Sequence, residues 1–133
     1  MSDEASGFRG LATWQQSYKL ARDVYRCTQE FPHSEQYGLT SQIQRAALSI
    51  PSNVAEGYGR GQDTRDCLRF LLMARGSLYE LETCLLLSKD LGYLPDEAFA
   101  SIDEIRRRVG ELIGGMIRST AGRIDEREKT VHR

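Results

Sequence analysis

The chain has 133 residues, enough for one domain with a real core, and is 40% hydrophobic and 28% charged, as globular proteins are. Its formal net charge of −1 excludes a uniformly basic nucleic-acid binder, and no apolar run approaches the ~20 residues that span a bilayer. The start, Met1-Ser-Asp-Glu-Ala-Ser-Gly7, lacks the apolar stretch of a signal peptide, and Cys27, Cys67 and Cys84 lack metal-ligand spacing, so free buried thiols in a reducing cytoplasm are expected.

Residues 1–9 read as a flexible lead-in. A first helix is predicted from about Ala12 to Glu30, closed by Pro32. Trp14, Tyr18, Ala21, Tyr25 and Thr28 make one stripe on it, and Leu20, Val24, Cys27 and Phe31 an adjacent one. Together they form the wide apolar face of a bundle helix. The rings could serve as a stacking platform for bases, but beside leucines at helical spacing they read as core. His33 sits in the turn that follows.

A second helix is predicted from about Leu39 to Tyr58, with Leu39, Ile43, Ala47, Ile50 and Val54 at three- and four-residue steps. Pro51 lies inside this pattern. It has no N–H to give Ala47, and its ring crowds that carbonyl, so a kink is predicted there. Ser49, Ser52 and Asn53 flank the break and can bond freed backbone groups. Asn53 and Glu56 have capping-box spacing, which would let the helix restart, and Gly57, Gly59 and Gly61 would end it.

The third helix is predicted from about Thr64 to Leu91. Cys67, Leu71, Ala74, Leu78, Leu81, Leu85 and Ser88 form the 3.5-residue seam of a left-handed bundle. Leu68, Leu72, Tyr79 and Leu86 form a second apolar line, with Phe70, Met73 and Leu87 besides. A bundle has no central helix, so this second line predicts an interface between copies. Pro95 and Asp96 open a fourth helix, to about Ser119, with Phe99, Ile102, Ile105, Val109, Leu112, Ile113, Met116 and Ile117 inward. Gly110, Gly114 and Gly115 would admit a close neighbour. Residues 10–119 are thus read as one all-α, antiparallel up-down-up-down four-helix bundle, and residues 120–133 as a disordered charged tail.

Few constellations suggest chemistry. The two histidines, His33 and His132, lie in a turn and the tail, and no Glu-x-x-His, Cys-x-x-Cys, P-loop or Gly-x-Ser-x-Gly occurs. The reading is therefore not an enzyme, with no cofactor and no metal. Folding the third helix back on the second brings Arg45 level with Glu80, Gln42 with Glu82, and Glu56 with Arg69, a predicted structural polar network. One end of the bundle gathers Arg9, Arg60, Arg65, Arg69 and Arg118. Arg60, Arg65, Arg69 and Arg118 are the candidate phosphate contacts to RNA or DNA.

The string Gln42-Ile-Gln-Arg-Ala-Ala-Leu-Ser-Ile-Pro51-Ser-Asn-Val-Ala-Glu-Gly-Tyr-Gly-Arg60 resembles the signature of the 23S rRNA intervening-sequence proteins. "LATWQQSYKLARDVY", "FPHSEQYGL", "RFLLMARGSLYELET" and "LGYL" match in the same order, over about residues 8–118. Asp66-Cys67 stands where that family often has Glu-Phe. The resemblance implies a four-helix bundle, a homo-oligomer that is commonly a pentamer, and no known catalysis. A related branch serves as the accessory protein of diversity-generating retroelements, which binds a reverse transcriptase and nucleic acid. Two functions are carried forward: an oligomeric nucleic-acid-associated adaptor, and a protein-only interaction scaffold. A small-molecule pocket near Pro51 is a third, remote option.

Overall fold

The computed structural model describes residues 7–131. Among these residues the chain is helical throughout: α1 (Ala12–Thr28), α2 (Leu39–Gly59), α3 (Thr64–Asp90) and α4 (Asp96–Val131), with short 3₁₀ turns at Gly7–Gly10 and His33–Glu35. Gly61 and Gly92 carry the two interhelical turns that need positive φ, at 59° and 79°. Asp63 caps α3 by accepting the Asp66 N–H at 3.0 Å. Glu35 does the same for α2, its Oε1 accepting the Leu39 N–H at 3.2 Å.

The predicted seam of α3 is the buried one: Leu71, Ala74, Leu81, Leu85 and Ser88 are fully enclosed, and Cys67 and Leu78 nearly so. Ala74, Leu78, Leu81 and Leu85 share one core with Leu20 and Val24 of α1, Ile43, Ile50 and Val54 of α2, and Val109 and Ile113 of α4. Each such aliphatic side chain, once buried, contributes about 1.5–3 kcal/mol. Neighbouring helices also pair closely. Gly57 packs against the Cys67 carbonyl and Ser49 Oγ meets Ser77 Oγ at 2.6 Å, so α2 and α3 run in opposite senses. Gly110 rests on Leu78 and Arg106 reaches Glu82 at 3.4 Å, setting the α3–α4 register.

Three expectations need correction. First, α2 does not stop and restart at Asn53: it runs unbroken through a buried Pro51. The Asn53 amide donates back to the Ser49 carbonyl at 2.8 Å, and Ser52 Oγ to the Leu48 carbonyl at 2.9 Å, rather than capping a new helix. Gly57 is likewise no stop signal. It lies inside α2 because α3 comes too near for a side chain. Second, α4 continues past Ser119 to Val131. Ala121, Arg123, Glu126, Arg127, Glu128 and Lys129 are good helix formers, and a charged composition does not oppose a helix. Arg127 ties this extension to the Gln62 carbonyl at 3.2 Å, and Arg65 pairs with Glu128. His132 lies outside the described residues. Third, of the α4 residues expected to face inward, Ile102, Val109 and Ile113 are buried and Phe99, Ile105 and Ile117 pack against the core while partly buried, but Leu112 and Met116 are half-buried outside that cluster.

Candidate interaction surfaces

The outer face of α3 carries the clearest surplus of apolar surface. Leu72, Tyr79 and Leu86 are 41%, 59% and 47% exposed. Met73 and Leu87 beside them are equally open, and Leu68 is half-buried. Leu72, Gly76, Tyr79, Thr83 and Leu86 alternate steps of four and three, which puts them on one continuous line along the helix. At its start the line borders a cleft between Leu68, Leu72, Met73 and Ile124 of α4, rimmed by Arg65 and Arg69.

The arginines expected to gather as a basic end are mostly compensated. Arg60 pairs with Glu56 at 3.0 Å and with Asp66 at 3.2 Å. Asp66 also holds Arg69 at 2.7 Å, and both guanidiniums lie over the Phe70 ring, at 4.7 and 4.5 Å from its centroid. Arg65 is matched by Glu128. The Arg118 guanidinium lies against Gly114 of its own helix, so that glycine makes room for a side chain, whereas Gly110 admits a neighbouring helix.

The predicted polar network between α2 and α3 does not form. Arg45 bonds Gln42 on its own helix, Glu82 pairs with Arg106, Glu56 with Arg60, and Arg69 with Asp66, while Glu80 is exposed. Level along the axis was right, but these side chains point away from the contact. The bond that crosses it is between Ser49 and Ser77, and Asn53 Nδ2 adds to it at 3.0 Å from Ser49 Oγ.

Two polar sites went unread in the sequence. Asp103 is buried and accepts from Arg106 Nε at 2.7 Å and Arg107 Nη2 at 2.8 Å. Burial pushes its carboxyl up, but the hydrogen bonds and charges of the two arginines outweigh that and hold it below its ordinary value. The i,i+3 and i,i+4 spacing of Asp103 to Arg106 and Arg107 is the signal that could have found it. In the turn that leads into α4, Tyr93 donates its hydroxyl to Glu35 Oε2 at 3.0 Å, and its ring packs on Phe31. The hydrogen bond to Glu35, helped by desolvation and that negative charge, raises the Tyr93 pKa. Burial, with Asp23 nearby, raises the Cys27 thiol to about 11.

The aromatic stripe of α1 also departs from expectation. Ala21 and Thr28 are buried and Trp14, half-buried, packs against the core, but Tyr18 and Tyr25 are 52% and 39% exposed. Leu20 and Val24 of the adjacent stripe are buried as expected, and Thr13 and Ser17 turn inward with them. Among the described residues no cluster of His, Cys, Asp or Glu could hold a metal ion, and no helix is long and apolar enough to cross a membrane.

A family model described as "23S rRNA-intervening sequence protein" matches residues 9–115. Among curated proteins none matches the chain. Among solved structures, a crystal structure of a protein of unknown function from the S23 ribosomal protein family of Bacteroides thetaiotaomicron is similar. Its TM-score is 0.71 at 22% identity, over 80% of this chain and 98% of that one. At that identity the likeness establishes the fold.

Proposed function

The chain belongs to the 23S rRNA-intervening sequence protein family, and from that premise we propose that it acts without catalysis, as a scaffold whose copies dock through the outer face of α3. The observation that carries this is the line that starts at the half-buried Leu68 and continues through Leu72, Tyr79 and Leu86, which are left open on a helix whose other face already fills the core. Contiguous apolar surface of this kind marks interaction sites. The compensated arginines at the α2–α3 turn favour such a protein contact over a phosphate contact at that end.

Light scattering tests the proposal. The unaltered protein is expected as a multiple of 15.1 kDa, five copies being what the family resemblance implies. Leu72→Glu with Leu86→Glu places two charges in the contact and should release folded single chains. A 15.1 kDa particle for the unaltered protein would refute self-association.

A further inference from the structure

Beside its buried face α1 carries the open rings of Tyr18 and Tyr25 next to a line of cations, and Trp14, which packs against the core, precedes them. Trp14, Tyr18 and Tyr25 fall on one line of the helix, and Lys19, Arg22 and Arg26 on the solvent-facing line beside it. The first ring pair is ordered: Trp14 and Tyr18 stack with centroids 5.1 Å apart and planes 27° from parallel, and Phe8 packs edge-on against Trp14 at 5.1 Å. Tyr25 follows Tyr18 by about 10 Å along the axis. Among the described residues the ion pair on this face is Arg22 with Asp23, at 3.4 Å. The contrast with the α2–α3 turn is direct, since there carboxylates answer Arg60, Arg65 and Arg69.

Exposed rings alone would suit many partners, and exposed cations alone any polyanion. Their interleaving on one helix suits a partner that offers flat π-faces and a negative backbone together. A duplex hides its bases, so the matching ligand is an unpaired strand. We propose that the α1 face binds single-stranded nucleic acid, with bases stacking on Tyr18 and Tyr25 and phosphates resting on Lys19, Arg22 and Arg26. The site lies on a different helix from the α3 docking face and does not depend on it.

Fluorescence anisotropy with labelled oligo-dT and oligo-U tests this, and Trp14, the sole tryptophan, gives a second signal at the site itself. Binding is expected to quench Trp14 emission and to weaken steeply with salt. Tyr18→Ala should weaken binding by about 5- to 100-fold, while Tyr18→Phe, which keeps the ring, should retain it. Replacing Lys19, Arg22 and Arg26 by Gln should reduce the slope of log K against log salt by about two. Arg65→Glu with Arg69→Glu should leave affinity unchanged. Circular dichroism of these surface variants checks that each stays folded. The proposal is overturned if neither oligonucleotide binds, if Tyr18→Ala binds as the unaltered protein does, or if a duplex or polyglutamate binds as tightly as the single strand. Loss of binding through Arg65 and Arg69 alone would overturn it too. Light scattering of Leu72→Glu with Leu86→Glu reads self-association separately, so either proposal can fail without the other.

Discussion

Gly57→Ala is expected to destabilise the fold although it removes a glycine from a helix. Helix propensity alone favours alanine by up to about 1 kcal/mol. A methyl group built at Gly57, however, would stand 3.3 Å from the Cys67 carbonyl oxygen and 3.4 Å from Phe70 Cβ. Both atoms are fixed to the backbone of α3, so the whole helix would have to give by a few tenths of an ångström. Overpacking of that kind costs about 1–3 kcal/mol, which leaves a net loss of about 1 kcal/mol. Gly76 is the reference. It also sits within a helix, but a methyl there meets nothing within 4 Å, so Gly76→Ala should keep the gain of about 1 kcal/mol. Urea unfolding compares the two, each in the Leu72→Glu and Leu86→Glu background so that self-association does not contribute. The variants should differ by about 2 kcal/mol in opposite directions from their parent. Equal stabilisation by both would refute the account of Gly57 as a close-approach residue.

Asp103→Asn should lower stability by about 2 kcal/mol near neutral pH, since it breaks charged hydrogen bonds to Arg106 and Arg107. The carboxyl's folded pKa lies below the ordinary 3.8, so the unfolded chain takes up this proton first. Its contribution is complete above that ordinary value and is lost as pH falls through the folded one, and urea midpoints of the variant should lack this acid-side decline. With its pKa near 11, Cys27 is about one part in a thousand thiolate at pH 8, so alkylation should be slow in the folded protein and fast in urea. Tyr93→Phe removes the bond to Glu35 and should lower the urea midpoint slightly, with unchanged helical circular dichroism.

The buried seam of α3 was legible because the 3.5-residue period of a bundle is written directly in Leu71, Leu78 and Leu85. The outer line of α3 was legible for the same reason, as apolar residues in excess of one core. What failed was azimuth and context. Pairing Arg45 with Glu80 used distance along the helix axis, which numbering supplies, but not the direction of the side chain, which it does not. Ser49 and Ser77 lie at nearly the same level and do point inward, yet two serines give no charge signal. Tyr18 and Tyr25 were misplaced because a tyrosine scores as apolar in any pattern, while its hydroxyl tolerates water. The length of α4 was hidden by a charged composition that suits a solvated helix as well as a disordered tail.

That length has a mechanical consequence. At 36 residues α4 is about 54 Å long, while the 17 residues of α1 reach about 26 Å. Past the buried Thr120 the last turns of α4 run alongside the turn at Arg60–Asp63 and are held there from the side, by Arg127 at the Gln62 carbonyl and by Glu128 at Arg65. Backbone amides along this single rod should therefore exchange with deuterium in a gradient, slowest around Val109 and Ile113 and quickest near Lys129.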